Sequence, residues 1–330
     1  MKKKLLEILV CPSCKGALAA SEIVDGEIED GELRCEKCGE KYPVINGIPR
    51  FVKSDNYASS FGYQWNLFRK EQLDSYNGTT LSADRLWSET GWRKEDLKGK
   101  WVLDAGCGAG RFIDAASVSG AELVGIDISS AIDAAKDNLG GRPNVHFVQA
   151  SIYELPFREQ TFDYCYCIGV IQHTPNPENS LRNIASMVRF DGEIAVTIYP
   201  RRPWTKLYSK YWFRPFTKRM SKEKLLNLIQ RVMPAAFPVS DVLFRVPYLG
   251  RVFMFFLPIA NYVHEKQLSP EQRYAWAVLD TFDMLSPQFD QPMTYEEAAR
   301  ALRAAGIADL TRPTLRALNV VGRRSSTQSG

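Results

Sequence analysis

The sequence predicts an α/β fold: a mostly parallel sheet with helices on both faces, a small cysteine-rich module in front of it, and a helical insert late in the chain. Three observations carry this prediction. Apolar runs alternate with helix-compatible segments through residues 100–200. A glycine-rich turn joins an apolar run to a helical segment at residues 102–112. Two CxxC pairs stand close together near the N-terminus.

Length and composition indicate more than one folding unit. The chain has 330 residues, of which 45% are hydrophobic, which is enough for a core and excludes a disordered chain. Its net charge of +4 is modest. No apolar run reaches about 18 residues, so no membrane-spanning helix is expected. The basic start is interrupted by Glu7 and Cys11, unlike a secretory signal, and the expected location is the cytoplasm.

The N-terminal module, residues 1–52, is predicted to bind a metal. Cys11 and Cys14 form one CxxC pair, and Cys35 and Cys38 form the other after 20 intervening residues of hairpin composition. Four thiolates suit a closed, tetrahedral, structural Zn²⁺ site and leave no open position for catalysis. A module this small lacks a sufficient core, so the metal would supply stability. The alternative is two reduced pairs without metal.

The module also resembles a known family. Residues 5–12, the second CxxC pair and residues 42–51 resemble the zinc-ribbon family of small methyltransferase-activator subunits. In that family the module supports a methyltransferase partner. The resemblance implies that the partner is fused in the same chain here, and no obligate protein partner is evident from the sequence.

Residues 100–200 are predicted to form the core sheet. The expected strands are 101–105, 122–127, 145–149, 163–168 and 193–199, and the expected helices are 111–119, 129–139 and 178–188. Ligands of parallel sheets bind at the carboxyl ends of the strands. The loop ends at 104–110, 127, 150–153 and 169–173 are therefore expected to meet at one rim.

The glycine turn and a later carboxylate predict a nucleoside-containing ligand. Gly106, Gly108 and Gly110 lack a Cβ, so the backbone can turn sharply and a ligand can lie against it. Asp127 stands 21 positions after Gly106, at the end of the next apolar run, where a carboxylate suits a ribose diol. The G-x-G-x-G spacing is shorter than that of nicotinamide and flavin binders. Asp104, inside the strand end, can meet a cationic or amine group.

The stretch from Leu103 to Gly110 resembles the first motif of class I S-adenosylmethionine-dependent methyltransferases. That family has a Rossmann-like, mostly parallel sheet of seven strands. The resemblance covers about residues 60–200 and resumes near 294–323. It implies S-adenosyl-L-methionine as the cofactor, and the alternative is a nucleotide fold that has lost its ligand.

The same resemblance assigns cofactor contacts. The backbone of residues 106–110 would hold the amino-acid part, Asp127 the ribose hydroxyls, and Ile128 would pack on the adenine. Relatives often carry Asp where Ser151 stands, so the contact to the adenine amine is expected to be weaker or to shift to Gln149 or to a backbone carbonyl. The expected cofactor-binding residues are Asp104, Gly106, Cys107, Gly108, Gly110, Asp127, Ile128, Ser151, Ile152 and Gly169.

The loop after residue 168 carries the candidate catalytic residue. Residues 172–177 resemble a histidine-containing loop, followed by proline, of small-molecule methyltransferases, and lack the Asn/Asp-Pro-Pro-aromatic tetrad typical of enzymes that methylate exocyclic or amide nitrogens. His173 is the histidine near the predicted rim, and an imidazole can act as a general base. The alternative is a histidine that orients backbone or packs on the cofactor. Cys165 and Cys167 are expected to fill the core.

Residues 53–99 are expected to link the module to the core through helices that cover the cofactor. An aromatic run is followed by helix-compatible sequence at 69–73, and a second helix is expected around 83–90. Tyr63 or Trp65 would lie near the cofactor and substrate. The alternative is that these rings pack in the core.

Residues 201–290 are predicted to be a basic, aromatic, helical insert. From Arg201 to Arg251 there are 12 Lys or Arg against two acids, with aromatic residues between them. Three interpretations remain open. The insert could be a lid over an apolar or anionic substrate, a peripheral contact with an anionic membrane, or an RNA-binding surface, which is less expected because no RNA-binding module is recognisable. The carboxylates of residues 279–290 could line a substrate pocket, with Asp283 as the candidate substrate contact, or they could form caps and turns.

The C-terminal residues 291–323 are expected to complete the core. A capping box at 294–297 should open a helix that ends at Ala305, followed by strands near 307–312 and 316–323. The tail, residues 324–330, is expected to be disordered.

The predicted function is transfer of a methyl group to an oxygen, nitrogen or carbon atom of a small-molecule or lipid-like acceptor. One alternative is an RNA methyltransferase, since zinc ribbons also occur in those enzymes. The other is a non-catalytic scaffold that binds S-adenosylmethionine and docks a partner through the zinc ribbon.

Overall fold

The computed structural model describes residues 1–21, 26–52, 56–315 and 317–325. Within these ranges the strands form one sheet of four strands and one of seven. Residues 326–330, most of the tail expected to be disordered, lie outside the described residues, as does the first residue of the strand expected at 316–323.

The N-terminal module is a small antiparallel sheet that follows one helical turn. Its elements are α1 (Lys3–Leu6), β1 (Leu18–Ala20), β2 (Gly31–Cys35), β3 (Lys41–Ile45) and β4 (Ile48–Pro49). The hairpin expected between the CxxC pairs is β1 with β2, in a register that sets Leu18 opposite Cys35. On β3, Tyr42 and Val44 are buried while their neighbours are exposed, so one face of the sheet packs inward.

Three helices connect the module to the core: α2 (Ser59–Leu67), α3 (Asp74–Asn77) and α4 (Leu81–Thr90). The expectation of a helix at 69–73 is wrong, since these residues form turns between α2 and α3. The reason is at the two ends of the segment. The Phe68 N–H closes α2 on the Gln64 carbonyl. The Asp74 carboxylate accepts hydrogen bonds from the N–H groups of Ser82 and Ala83, which fixes a new helical direction.

The core alternates strands and helices as predicted. Its elements are β5 (Trp101–Ala105), α5 (Arg111–Ala116), β6 (Glu122–Asp127), α6 (Ala131–Leu139), β7 (Val145–Gln149), β8 (Phe162–Ile168), α7 (Pro177–Met187) and β9 (Val188–Ile198). The bounds of β5, β6 and β7 are those expected from the apolar runs. β9 begins at Val188 instead of residue 193, because α7 ends directly before it.

The insert is helical. It contains α8 (Lys210–Thr217), α9 (Lys222–Arg245), α10 (Leu249–Phe256) and α11 (Pro270–Leu285). Buried residues of α9 and α11 form an apolar cluster of their own, which holds Leu226, Ile229, Met233 and Phe282. The insert therefore has its own small core next to the sheet.

The chain ends with α12 (Tyr295–Ala304), β10 (Ile307–Thr311) and β11 (Leu318–Arg324). The capping box expected at the start of α12 is present, with Thr294 and Glu297 each bonding to the backbone of the other. The sheet order is β10-β11-β9-β8-β5-β6-β7, and β11 is antiparallel to both of its neighbours while the other pairs are parallel. This sheet of seven strands confirms the predicted fold class.

The module packs against the edge of the core sheet. The Arg50 guanidinium donates to the Gln149 side chain at 2.9 Å and pairs with Asp133 at 2.6 Å. The Phe51 N–H donates to the Gln149 carbonyl at 2.8 Å. Residues of both units share one buried apolar cluster, which includes Leu5, Leu9, Val44, Val148 and Phe157. The contacts reach the end of β7, next to the rim where ligands of this fold bind.

Among the helices of the described ranges, none is both long enough and apolar enough to cross a membrane.

Candidate active site

A cavity of about 650 Å³ opens at the carboxyl ends of β5, β6 and β8. Its walls come from the glycine turn, from α2, and from α8 and α11 of the insert. A volume of this size holds a small-molecule ligand or a cofactor with part of its substrate. The predicted site residues that line it are Trp65, Gly106, Cys107, Gly108, Asp127, Ile128, Ile152, Gly169, His173 and Asp283.

The glycine turn forms the floor of the cavity. The N–H groups of Gly106 and Cys107 both donate to the Ile126 carbonyl, at 2.8 and 2.9 Å, which ties the turn to β6. Gly106 and Gly108 have φ of 90° and 54°, in the region that favours glycine. A Cβ on Gly108 would lie 3.2 Å from the Trp65 indole nitrogen. The turn therefore keeps its backbone open to the cavity and lies against an aromatic ring.

Asp127 stands beside this turn at the end of β6. One of its carboxylate oxygens accepts from the Gly108 N–H at 3.0 Å, and the other accepts from the N–H and hydroxyl of Ser129. Burial raises the pKa of this carboxyl, while these hydrogen bonds oppose the rise. A carboxylate has about four acceptor sites. Three of them are used, so Asp127 keeps capacity to accept about one further hydrogen bond from a hydroxyl in the cavity.

Four predicted site residues are not among those that line the cavity. Asp104 is buried beneath the turn beside the Tyr166 hydroxyl, and burial raises its pKa well above the ordinary value. Gly110 packs against Leu139 of α6. The remaining two are held by local contacts: the Ser151 hydroxyl accepts from the Tyr153 N–H, and the Tyr63 ring packs against Phe282.

His173 lies on a 3₁₀ turn after β8, at the junction of the sheet and the insert. Its Nδ1 is 3.0 Å from the Phe289 carbonyl. A carbonyl only accepts, so Nδ1 must carry the proton. In the neutral ring Nε2 is then a free base; it is buried and has no hydrogen-bond partner among the described residues. Burial lowers the pKa of His173, and the charge of Asp283 opposes this.

Helix α11 brings two carboxylates to the same cavity, Asp280 and Asp283, one turn apart. Burial and the charge of Asp283 raise the pKa of Asp280 to about 7, and the nearby Arg111 opposes the rise. Burial also raises the pKa of Asp283, against the charges of His173 and Lys210. This wall therefore combines two carboxylates with a neutral imidazole.

Lys210 of α8 closes the cavity on the side of the insert. Its ammonium is 2.7 Å from an Asp290 carboxylate oxygen and lies over the rings of Tyr199 and Tyr211, at 4.8 and 4.9 Å from their centroids. Arg214, one turn further, donates to the Pro287 carbonyl at 2.9 Å. These bonds hold α8 over the cavity as a lid.

Sequence reasoning missed several lining residues. Tyr57 and Phe61 precede the aromatic residues that were singled out, and Arg111 follows the glycine turn directly. Proximity to these motifs could have indicated all three. Lys210 had no local signal, because it reaches the cavity only through the packing of α8. Asp280 stands in the same carboxylate-bearing stretch as Asp283, which was chosen instead.

The cysteine pairs of the module form a second candidate site. The sulfurs of Cys11, Cys14, Cys35 and Cys38 all lie within 4.8 Å of one another, a group that could hold a metal ion. The Cys14–Cys35 and Cys11–Cys38 sulfurs are 3.4 and 3.7 Å apart. Tetrahedral zinc with bonds of about 2.3 Å would separate its sulfurs by about 3.8 Å. The Tyr42 hydroxyl is 3.2 Å from the Cys11 sulfur and can support it as a ligand.

Comparison with known families agrees with this division of the chain. Residues 103–196 match the family described as "Methyltransferase domain", and residues 2–47 match "Trm112p-like protein". The first range holds the glycine turn, Asp127 and His173. This part of the chain is a methyltransferase domain. The prediction of a class I methyltransferase joined to an activator-like zinc-ribbon module is confirmed at the level of these families.

Individual relatives of the methyltransferase domain are more distant. A ubiquinone biosynthesis O-methyltransferase of Coxiella burnetii (strain Dugway 5J108-111) is 33% identical over 115 residues, which cover 34% of this chain and 49% of that protein. The O-methyltransferase cnsE of Penicillium expansum is 29% identical over 200 residues, or 57% of this chain and 70% of that protein. The chain spans about half the length of the first of these relatives.

Similarity to solved structures is weaker. A chain in a solved complex that contains the Haloferax volcanii Trm112 methyltransferase activator aligns with 83% of this protein and 99% of its own length, at 14% identity and a TM-score of 0.43. The YcgJ protein from Bacillus aligns with 38% of this chain and 54% of its own, at 26% identity and a TM-score of 0.33.

Proposed function

We propose that the protein transfers a methyl group from S-adenosyl-L-methionine to a hydroxyl oxygen of a small-molecule or lipid-like acceptor. The observation that carries this proposal is the tautomer of His173. Its Nδ1 donates to the Phe289 carbonyl, so Nε2 is the basic nitrogen of a neutral ring that lines the methyltransferase cavity. A base in this position suits an acceptor whose proton must be removed, as a hydroxyl proton must be.

The residues of the cavity fit the cofactor. The backbone of the glycine turn can face its amino-acid part, and Asp127 keeps one acceptor site for a ribose hydroxyl. Ile128 and Ile152 also line the cavity and offer apolar contact for the adenine. Neither Ser151 nor Gln149 lines the cavity, and the Gln149 side chain already bonds to Arg50 and to the Ile128 carbonyl. An acceptor for the adenine amine would therefore come from a backbone carbonyl at the rim.

When bound, S-adenosylmethionine supplies an electrophilic methyl group attached to a sulfonium. The protein's own residues prepare the acceptor. His173 Nε2 takes the hydroxyl proton, and the Phe289 carbonyl holds the ring in the required tautomer. The negative charge of Asp283 stabilises the imidazolium that forms, since it favours the protonated ring. Buried rings around the cavity exclude water from this proton transfer.

The lid supplies the remaining contacts to the acceptor. Lys210 is held by Asp290 and covers the Tyr199 ring, so α8 closes the cavity opposite the glycine turn. Aromatic surfaces of Tyr57, Phe61 and Trp276 line the rest. Such a mixture of rings with a few charged groups suits an apolar or aromatic acceptor with a polar end.

The relatives support oxygen over nitrogen or carbon as the acceptor atom. Two related proteins carry the name O-methyltransferase, and one of them acts in ubiquinone biosynthesis by its name. An acceptor with an apolar portion would agree with the walls of the cavity. An RNA acceptor would need a path for a polynucleotide, which nothing in the cavity favours.

For the module we propose a structural zinc ion held by the four cysteines. Four thiolates fill a tetrahedral site and leave no position for a substrate. Its role would be to fold the module and so to support the edge of the sheet that Arg50 and Phe51 contact. Reduced cysteines in this arrangement suit a cytoplasmic location.

The proposed activity can be tested in two steps. Calorimetry should detect binding of S-adenosylmethionine, and Asp127→Ala should remove it. Incubation with a labelled methyl donor and fractionated cell extract should then place the label in lipid or small solutes. Label in RNA, or donor binding that is unchanged in Asp127→Ala, would contradict the proposal.

A further inference from the structure

Exposed apolar side chains are concentrated on the insert. Of the 20 large hydrophobic residues that stand out as exposed in the described chain, 14 lie between Trp204 and Phe256. The 14 are Trp204, Leu207, Trp212, Phe213, Phe216, Leu228, Val232, Val239, Val242, Tyr248, Leu249, Val252, Met254 and Phe256. We name this set the docking face. Scattered exposed apolar residues are normal, but a contiguous patch indicates an interaction surface.

On the long helix α9, the exposed apolar residues all lie on one side of the helix. Leu228, Val232, Val239 and Val242 fall within an arc of about 80° when successive residues turn by 100°. The buried residues of the same helix, such as Ile229 and Met233, lie on an adjacent arc. The helix therefore has one apolar face toward the protein and a second apolar stripe toward solvent.

Helices α8 and α10 carry further exposed apolar groups: α10 packs against α9 and meets α8 through the Trp212 and Phe256 rings. The half-exposed rings of Trp212 and Phe256 are 6.0 Å apart between centroids. Phe213 and Phe216 stand on the same side of α8, and Phe216 is 71% exposed. The two helices thus present large rings side by side, and no other part of the described chain covers these rings.

The charges around the docking face have one sign. Arg201 and Arg245 are in ion pairs, but seven other exposed cations of the segment make none among the described residues. The seven are Arg202, Lys206, Lys218, Arg219, Lys224, Arg231 and Arg251. The acids of the segment do not offset them, because Asp241 is paired with Arg245 and Arg273 and Glu223 stands alone. Cations that flank exposed apolar groups are typical of helices that lie in the interface of an anionic bilayer.

We propose that the docking face binds the surface of an anionic membrane. A second copy of the chain would bring an excess of positive charge against another, which opposes pairing through this face. A nucleic acid would match the charge, and bases could stack on the exposed rings of α8 and α10. It would offer no apolar partner for the aliphatic stripe of α9, which is Leu228, Val232, Val239 and Val242. A bilayer matches both properties, since lipid headgroups meet the cations and acyl chains meet the aliphatic and aromatic groups.

The docking face shares helix α8 with the lid of the cavity. Lys210 turns inward to Asp290, while Trp212 and Phe213 on the same helix are exposed. Membrane contact would therefore place the lid at the bilayer surface, where a lipid-like acceptor is dissolved. The idea that the acceptor enters the cavity from the bilayer deepens the proposed function and rests on it. The membrane contact itself does not depend on the proposed function.

The test is co-sedimentation of the full, zinc-loaded chain with vesicles, without methyl donor. Vesicles of phosphatidylcholine with phosphatidylglycerol should bind the protein, vesicles of phosphatidylcholine alone should bind it weakly, and added salt should weaken binding. Lys224→Glu with Arg231→Glu should reduce binding by more than about 20-fold, at roughly fivefold for each cation. Phe213→Ser with Phe216→Ser should also release the protein.

Matched controls separate this effect from misfolding. Val118→Ser with Leu315→Ser removes exposed apolar groups elsewhere, and Lys98→Glu reverses an exposed charge elsewhere; both should leave vesicle binding unchanged. Asp127→Ala should abolish donor binding and leave vesicle binding intact, so the two proposals can fail separately.

A second measurement uses variants that keep the aromatic character. Lipids brominated in the acyl chains should quench tryptophan fluorescence in the native protein. Trp204→Phe with Trp212→Phe should lose that quenching while still binding the vesicles. Native protein that remains in the supernatant with anionic vesicles, or binds RNA in preference to them, or forms dimers that Phe213→Ser with Phe216→Ser dissociates, overturns the proposal.

Discussion

At the scale of single residues, the proton on His173 Nδ1 sets the chemistry of the cavity. The Phe289 carbonyl fixes that proton, and burial keeps the ring neutral by lowering its pKa. Asp283 acts in the other direction, since its charge raises the pKa of the ring. Together they leave an unprotonated Nε2 that gains stabilisation when it takes a proton.

The pH dependence of methyl transfer tests this arrangement. Only the neutral ring is a base, so the rate should rise with pH to a plateau, with an apparent pKa below the ordinary 6.5 of histidine. Asp283→Asn should move this limb to still lower pH, because it removes a charge that favours the imidazolium. Both are read from kcat/KM profiles. A limb above 6.5, or one that Asp283→Asn moves upward, would contradict the role of the ring.

Replacement of the base gives a second check. His173→Gln should lower kcat by roughly 10²- to 10⁴-fold, the range that general-base catalysis contributes. The affinity for S-adenosylmethionine, measured by calorimetry, should stay close to the native value because the ring is proposed to act on the acceptor. A parallel loss of donor affinity would indicate that His173 packs on the cofactor instead.

Asp280 makes the stability of the protein depend on pH. Its pKa is raised to about 7 in the folded chain, so the stability it provides is present at low pH and is lost as pH rises through about 7. The difference from an ordinary 3.8 corresponds to at most roughly 4 kcal/mol. Asp280→Asn should therefore raise Tm more at pH 8 than at pH 5. Asp137→Asn, at an exposed ion pair, should show no such difference.

Site residues could be predicted from the sequence where they lie at the end of a core strand or shortly after it. His173, Asp127 and Gly108 each follow a strand directly, so the parallel sheet alone brings them to one rim. Lys210 could not be singled out, because it reaches the cavity only through the packing of α8.

At the scale of elements, the four cysteines determine whether the module is folded. Its sheet has five residues in its longest strands, and its core is shared with the methyltransferase domain. A metal at the cysteines would tie β2 to the loop of Cys11 and Cys14 and so close the module. These metal bonds would add to the pairing of β1 with β2, which already joins the two cysteine-bearing segments.

Chelation should therefore destabilise the native protein. We expect a chelator, or Cys35→Ser, to lower Tm by more than about 5 °C, since a lost structural metal costs several kcal/mol. The chelator should have no further effect on Cys35→Ser, which serves as the control for chelator effects elsewhere. Metal analysis of the native protein should give one zinc per chain. Equal Tm values for all samples would refute a zinc fold.

The elements differ in how far the sequence could predict them. β5, β6 and β7 have the bounds expected from their apolar runs, because strands buried on both faces are continuously apolar. The helix expected at 69–73 does not form, although the composition of that segment is compatible with a helix. The reason is Asp74, whose carboxylate binds the backbone of α4. The path of the insert was not predictable, since amphipathic helices specify a buried face but not the neighbour that covers it.

At the scale of the whole molecule, the insert and the module both contact the methyltransferase domain, but of the two only the insert lines the cavity in the described chain. The insert closes it through Lys210 and Asp290. The described residues of the module stay outside the cavity, where Arg50 binds the Gln149 side chain and Asp133 of α6. The Gln149 amide in turn donates to the Ile128 carbonyl at 3.2 Å, beside the proposed adenine site. This chain of contacts connects the module to the donor site.

Arg50→Ala should accordingly weaken donor binding without removing a group that lines the cavity. We expect the Kd for S-adenosylmethionine to rise by up to about tenfold, which corresponds to roughly 1.4 kcal/mol and to a hydrogen bond with a charged donor. Arg69→Ala is the matched control, because Arg69 pairs with Asp137 on the same helix α6 at a more exposed position. Its Kd should stay within about twofold of the native value, given the small contribution of surface ion pairs. Calorimetry on both variants, with Tm measured alongside, separates a local effect at the donor site from general destabilisation. Equal Kd values for the two variants would mean that the module stabilises the fold without acting on the cofactor.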